Sequence, residues 1–448
     1  MNDATRHGGD LLISGGTLVT REGRRIGDVL IRSGLVERIG TGLDAPPDVR
    51  RLDASGLLVF PGMIDPQVHF REPGMEQKED LESGSRAAVA GGVTTFFEMP
   101  NTNPPTSDPA ALEDKLSRAA GRAHADHAFF LGATSENADL LGEWEAHQGC
   151  AGVKLFMGAS TGNLLVPDDA NVERVLRSGK RRVTVHSEDD VRLKERYAAL
   201  SPAATVMDHA DVRDVECAVR STTRLLNLVE KTGRPVHVLH VSTAEELEII
   251  RERDLGDLVT CEATPNHLFL AAPECYEQHG TWAQMNPPVR DRRHQDALRA
   301  ALKDGPITCI GSDHAPHTAE EKAKAFPKSP SGIAGVQTTL PLLLTAVRDG
   351  WLTESDILRL CIDGPIRVYG LLGKGALDVG KDGDVALVDP RITAPIAMDW
   401  LQSRAGGNPF VGVQTAGLPV TSVVRGQVVW SDGRPASQAV GRPVRFAV

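Results

Sequence analysis

At 448 residues the chain has room for a barrel-sized domain and a smaller companion, and 41% hydrophobic with 24% charged residues is the make-up of an ordinary water-soluble globule. A net charge of −11 argues against a nucleic-acid surface, and no apolar run is long enough to span a bilayer. The opening MNDATRHGGD is polar throughout, so no secretory leader is expected.

Residues 10 to about 60 read as short strands broken by turns: DLLISGGTLVT, IGDVLIRSGLVERIG and RLDASGLLVF. From about residue 375 the same texture returns in GALDVGKDGDVALVDP and TSVVRGQVVWSDGRP. Two β-rich ends around a different middle predict one small β-sandwich built from both chain ends; two unrelated β-tails are the alternative. The middle alternates short apolar runs with helix-compatible stretches, the signature of an α/β fold with a parallel sheet. Its candidate strands are 63–69, 94–99, 128–133, 152–156, 183–186, 236–240, 259–263 and 307–312. Eight strands close a (β/α)8 TIM-like barrel. The predicted division is 61–374 for the barrel, with 1–60 and 375–448 as the two parts of the sandwich.

At or next to the C-terminal ends of those strands stand His69, Glu98, Lys154, His186, His240, Glu262 and Asp313. Barrel active sites are assembled at that face, whereas an open doubly wound sheet would not gather residues from nearly every strand. The long excursions LFMGASTGNLLVPDD and HAPHTAEEKAKAFPKSPSGIAG, after Lys154 and Asp313, are of the kind that line or cover a site. GAST around Ser160 lacks the setting of a nucleophile elbow and reads as a loop. Cys150, Cys217, Cys261, Cys275, Cys309 and Cys361 show no C-x-x-C spacing, so we read reduced thiols and a cytoplasmic protein, with no cysteine as ligand or nucleophile.

His186 closes RRVTVHSEDD and His240 closes RPVHVLHVSTAEE. One such histidine is more often structural. Two at equivalent strand ends, with Asp313 in TCIGSDHAPH, point to a metal, and imidazole with carboxylate suits zinc. His237, three residues before His240, should face away and is read as structural. In PGMIDPQVHF, residues 67 and 69 share a strand face, the spacing that grips an ion, yet the first is the amide Gln67. Lys154 in CAGVKLFMG is costly as a buried ammonium; desolvation lowers its pKa, and a neutral amine can take up carbon dioxide as an anionic, bridging carbamate. The competing reading is a surface lysine, or one paired with a nearby carboxylate.

Taken together, DPQVHFREPG, EMPNTNPPT, GVKLFMG, VHSED, HVLHVSTAEE, EATPNHLFL, QMNPPVR and GSDHAPH resemble the amidohydrolase superfamily, and within it the dihydroorotases. They follow that family's order over roughly residues 60 to 320, and REPG and NPPVR set them apart from allantoinases and dihydropyrimidinases. The resemblance implies a carboxylated, bridging Lys154. It implies that His186 and His240 hold the more exposed metal, and His69 and Asp313 the more buried one. Arg71, Asn101, Asn286 and His317 match substrate-binding positions, with Asn103 a weaker candidate whose alternative reading is a turn residue. Gln67 departs from the family's usual histidine, so the resemblance implies at least one zinc and leaves open whether there are one or two. Asn266, where a second histidine is common, is a smaller departure near no named ligand.

The expected chemistry is reversible, zinc-dependent hydrolysis of the dihydroorotate ring amide to N-carbamoyl-aspartate in pyrimidine biosynthesis, with Asp313 as proton shuttle. The resemblance also implies a homodimer and a place for association with aspartate transcarbamoylase. Two rival readings stand beside this one. Gln67 favours an inactive dihydroorotase-like subunit kept for transcarbamoylase assembly, and the general plan is shared with other cyclic-amide hydrolases.

Overall fold

The computed structural model describes residues 9–158 and 163–447. Ser160 lies outside the described residues. Five strands precede the barrel: β1 (Leu11–Thr20), β2 (Gly23–Arg32), β3 (Leu35–Gly40), β4 (Arg50–Asp53) and β5 (Leu58–Pro61). Eight parallel strands follow: β6 (Met63–Val68), β7 (Val93–Glu98), β8 (Asp126–Gly132), β9 (Cys150–Phe156), β10 (Val183–His186), β11 (Val236–Val238), β12 (Val259–Ala263) and β13 (Ile307–Ile310). The chain then adds β14 (Leu371–Leu372), β15 (Val385–Asp389), β16 (Leu418–Val424), β17 (Gln427–Ser431), β18 (Arg434–Pro435) and β19 (Arg445–Phe446).

The two β-rich ends form one mixed sheet in the order β18-β17-β16-β15-β5-β1-β2-β3, with β4 beside β1. The join is the antiparallel pairing of β15 on β5, which sets Leu387 opposite Val59. Period-two alternation explains its two faces. Leu11, Ile13, Val29, Ile31, Val385 and Leu387 meet in the sheet's own core. Ala386 and Val388, one residue out of phase, pack into the core shared with the barrel helices. Ser422 Oγ donates to Val89 O at 2.6 Å across that seam.

The barrel runs β6 to β13 in sequence order, as expected of right-handed βαβ units. It closes where Val68 bridges His314 and the His69 N–H donates to His314 O at 2.7 Å. Val183, Val185, Val236 and Val238 face the helix layer, so Thr184, His186 and His237 face the interior. At the opposite end β14 pairs with β19, and Tyr369, Leu371, Val444 and Phe446 plug the barrel floor. All six cysteines are buried and unpaired. Among the described residues, no helix is long and apolar enough to cross a membrane.

The eight strands match the predicted ones to within two residues at each end. The differences are informative. β6, β11 and β13 stop before His69, His240 and Asp313, so these residues sit just beyond the ladder, where the backbone is free to turn. His240 and Asp313 have φ of +36° and +48°, and Arg71 has +67°. Left-handed backbone at non-glycine residues costs about 1–3 kcal/mol each and clusters at functional sites. The helix after each histidine starts early and firmly. Asp189 caps the helix Asp190–Ala198 and Thr243 caps Ala244–Arg253, each cap standing three residues after its histidine.

Candidate active site

His186 and His240 come together at the ends of neighbouring strands. His186 Nδ1 lies 3.0 Å from His240 Nε2, with the rings nearly perpendicular. The other nitrogen of His186, Nε2, lies 2.9 Å from Glu188 Oε2. Glu188 is also gripped by Arg213 through Nε, at 3.1 Å, and Nη2. Burial alone would raise the Glu188 carboxyl, but Arg213 and His186 outweigh it and hold it well below the usual carboxylate range. An ionised carboxylate only accepts, so the proton sits on His186 Nε2 and Nδ1 turns a lone pair toward His240. His240 Nδ1 is buried with no partner among the described residues. Burial pushes both imidazoles toward the neutral form. Two neutral imidazoles with converging nitrogens, one oriented by a carboxylate behind it, suit a divalent cation.

Lys154 is about 1% exposed, with Nζ 4.5 Å from the centre of the Phe156 ring. Desolvation lowers its pKa to about 7 although Asp313 and Glu262 pull the other way. The surface-lysine reading is therefore excluded, and a near-neutral amine at pH 7 is the form that reacts with carbon dioxide. Its ammonium form would disfavour protonation of His69, His186 and His240.

The second pair is His69 and Asp313, with Nε2 3.1 Å from Oδ1. The Asn101 carboxamide is 2.7 Å from His69 Nδ1. Gln67 joins the same oxygen, donating from Nε2 to Asp313 Oδ1 at 3.1 Å. Asp65 stitches the two arms: its Oδ1 accepts the N–H of Gln67 at 3.2 Å and of Ser312 at 3.0 Å. The packing is close here: a Cβ on Gly311 would meet the Glu262 carboxylate at 2.8 Å.

Arg71 is buried, with Nε donating to Pro316 O at 3.2 Å and Nη2 3.3 Å from His317 Nε2. Desolvation lowers its pKa to about 10. Asp313, Glu98, Glu321 and Glu79 act on it from a distance, but among the described residues no carboxylate pairs with it directly. A buried guanidinium without a counter-ion is a receptor for an anion. His317 is held beside it by Ser331 O at 3.1 Å, Glu321 at 3.2 Å and Lys78 at 3.3 Å. Asn286 Oδ1 is buried without a partner among the described residues, an acceptor open to a ligand. Asn103 is exposed, and its backbone N–H donates to Pro73 O in a turn.

Three sequence expectations need correction. Glu98 faces the helix layer, in a 2.7 Å ion pair with buried Lys115, not the site. His237 does not face away; β11 ends before His240, so the parity count across residues 237 to 240 fails. Its role is still structural: Nδ1 meets Thr260 Oγ1 at 2.8 Å and Nε2 meets Glu262 at 3.2 Å, one layer beneath the site. Asn266 lies under the Asp313 turn, with Nδ2 donating to Ser312 O at 3.4 Å. Sequence reasoning missed Glu188, Arg213, Lys78 and Glu321. Only Glu188 carried a local signal, an acid two residues after a candidate ligand.

A parallel barrel that collects two imidazoles, a desolvated amine, a carboxylate and a buried guanidinium at its C-terminal face defines a barrel hydrolase. The model described as the amidohydrolase family matches residues 58–429. A dihydroorotase of Methanosarcina mazei is 36% identical over 90% of this chain and 91% of its own length. One of Halobacterium salinarum is 36% identical over 94% and 97%. Among solved structures, the L-hydantoinase (dihydropyrimidinase) of Arthrobacter aurescens superposes with a TM-score of 0.91 at 28% identity, covering 97% of this chain and 99% of that one. The chain belongs to the amidohydrolase family, among its dihydroorotases, and is a cyclic-amide hydrolase.

Proposed function

We propose that the enzyme interconverts dihydroorotate and N-carbamoyl-aspartate, with zinc held by the Lys154 carbamate, His186 and His240. The observation that carries the substrate choice is Arg71, a buried guanidinium with no carboxylate partner among the described residues. Dihydroorotate and its opened form carry a carboxylate where the rings of hydantoin, allantoin and dihydropyrimidines carry none. The donor set fits zinc on the geometry above: one imidazole with its lone pair fixed by Glu188, one whose Nε2 converges on it at 3.0 Å, and a lysine poised for carboxylation.

Zinc so held supplies Lewis acidity that polarises the ring carbonyl and lowers the pKa of water toward about 7. The residues of the chain do the rest. Arg71 clamps the substrate carboxylate in two contacts, with His317 fixed at its side. Asn101 and Asn286 meet the amide donors and acceptors of the ring. Asp313 accepts the proton of the attacking water as the new C–O bond forms. It returns that proton to the ring nitrogen as the C–N bond breaks, and the second water proton leaves the new carboxyl for solvent, giving a second carboxylate and a terminal ureido NH2. Ring closure runs the same steps backwards.

The test is zinc-loaded enzyme offered N-carbamoyl-aspartate, dihydroorotate, hydantoin and allantoin in turn. Cyclisation of N-carbamoyl-aspartate with loss of activity in Asp313→Asn supports the reading. A metal-bound protein inert toward all four would instead be an assembly subunit. Turnover of hydantoin or allantoin alone would place it with the other cyclic-amide hydrolases. A homodimer, association with aspartate transcarbamoylase and a cytoplasmic setting, in keeping with six unpaired thiols, go with this reading. Sedimentation of the chain alone and mixed with that transcarbamoylase tests the first two.

A further inference from the structure

We infer that the enzyme works with a single metal ion, and that Gln67 occupies the second metal position by hydrogen-bonding Asp313. The inference rests on the metal-dependent reading above and deepens it. A cation held by His69, Asp313 and the bridging Lys154 carbamate would take its remaining protein lone pair from residue 67. Gln67 offers the opposite: its Nε2–H donates to Asp313 Oδ1 at 3.1 Å. Chemistry sets that orientation, because the turned amide would press a carbonyl oxygen against a carboxylate oxygen.

His69 reaches the same oxygen at the same distance, but the two residues are not equivalent. An imidazole can shift its proton to the other nitrogen and free a lone pair for a metal. A carboxamide nitrogen has none to give. Coordination through Gln67 Oε1, which is buried and unpartnered, would require the amide to turn over. That gives up the bond to Asp313 for a neutral oxygen, a poorer zinc ligand than imidazole.

The backbone that carries Gln67 is held in place. Asp65 pins the Gln67 backbone and the Ser312 backbone with one oxygen. On the Gly311 side the packing is closed, since an added Cβ there would stand 3.0 Å from Gln67 Cβ and 2.8 Å from the Glu262 carboxylate. The position between His186 and His240 carries no comparable block. One site is built to receive an ion, and the other is closed by a donor.

The experiment counts metal rather than turnover. Wild-type enzyme and Gln67→His are dialysed against zinc, freed of unbound metal and measured by elemental analysis. Cobalt-loaded samples of both are examined by electron paramagnetic resonance. The expected result is one ion per wild-type chain with an uncoupled cobalt signal, and two ions with spin coupling in Gln67→His. Two ions in the wild type would overturn the inference, and that count needs no variant to fold. One ion in a folded Gln67→His protein would also overturn it, by showing that residue 67 does not control the position. No retained ion in either protein would instead bring down the metal-dependent reading beneath it.

Discussion

Glu188→Gln removes the negative charge that Arg213 and His186 share behind the site. Glu188 is fully buried and Arg213 is 2% exposed, so the substitution strands a cation out of water. Breaking a buried pair from one side destabilises by about 3–5 kcal/mol. A second loss is separate from the first. The Gln amide can present either its oxygen or its nitrogen to His186 Nε2, so the imidazole proton is no longer fixed on that side. Removing such an orienting partner lowers metal affinity by about 10- to 100-fold, or about 1.4–2.7 kcal/mol. Urea unfolding of the chelator-stripped protein reads the first quantity, free of stabilisation by bound metal. Competition for zinc with a chromophoric chelator reads the second. The double variant Glu188→Gln/Arg213→Met separates them: with both charges gone, stability returns to within about 1–2 kcal/mol of wild type, while zinc affinity stays low. Unchanged affinity in Glu188→Gln, or affinity restored together with stability in the double variant, would refute the claim that Glu188 orients His186.

Arg71→Lys keeps the charge but loses the planar fork, and is expected to raise KM for N-carbamoyl-aspartate by about 10-fold, with Arg71→Met nearer 100-fold. Steady-state kinetics check this, and an unchanged KM in Arg71→Met would remove the carboxylate clamp from the mechanism. Lys78 pairs with Glu321 at 3.0 Å and faces His317; Lys78→Met is expected to raise KM by roughly 5-fold through about 1 kcal/mol of lost positioning. Burial lowers the pKa of His209 to about 3, and those of His127 and His267 to about 4. The unfolded chain protonates these rings below about pH 6.5 and the folded chain does not, so it is the unfolded state that binds more protons as pH falls. Stability therefore drops from about pH 6.5 toward pH 4, by up to about 1.4 kcal/mol per pH unit for each histidine. In metal-free protein, His209→Gln should flatten that slope by one histidine's share. An unchanged slope in urea titrations would show that His209 is protonated in the folded state.

Much of this molecule was legible before any coordinates, because period and position carry physical meaning. Val183 to His186 alternates apolar and polar residues and stops at a polar segment, so its strand, its buried face and its exposed end follow from the order of residues alone. The same logic placed Lys154, His186, His240 and Asp313 at one face of a barrel, and the β-rich ends in a common sheet. It failed where a side chain's direction depends on its neighbours across the fold. Glu98 occupies a strand end like Lys154, yet Lys115, on a helix 17 residues later, turns it outward. His237 was misjudged because counting parity assumes an unbroken ladder, and β11 breaks two residues before His240.

The amino-acid order by itself determined the strand count, the residue types available for metal and substrate, and the anomaly of an amide at position 67. Local periodicity and chemical identity are properties of neighbouring residues, so they can be read along the chain. Only the tertiary structure decided that no carboxylate among the described residues pairs with Arg71, that Arg213 stands behind Glu188, and that the amide at 67 donates to Asp313. Each of those depends on groups brought together from distant parts of the chain by barrel closure, 246 residues apart in the case of Gln67 and Asp313. Pairing, burial and the direction of a hydrogen bond do not exist until that closure has occurred.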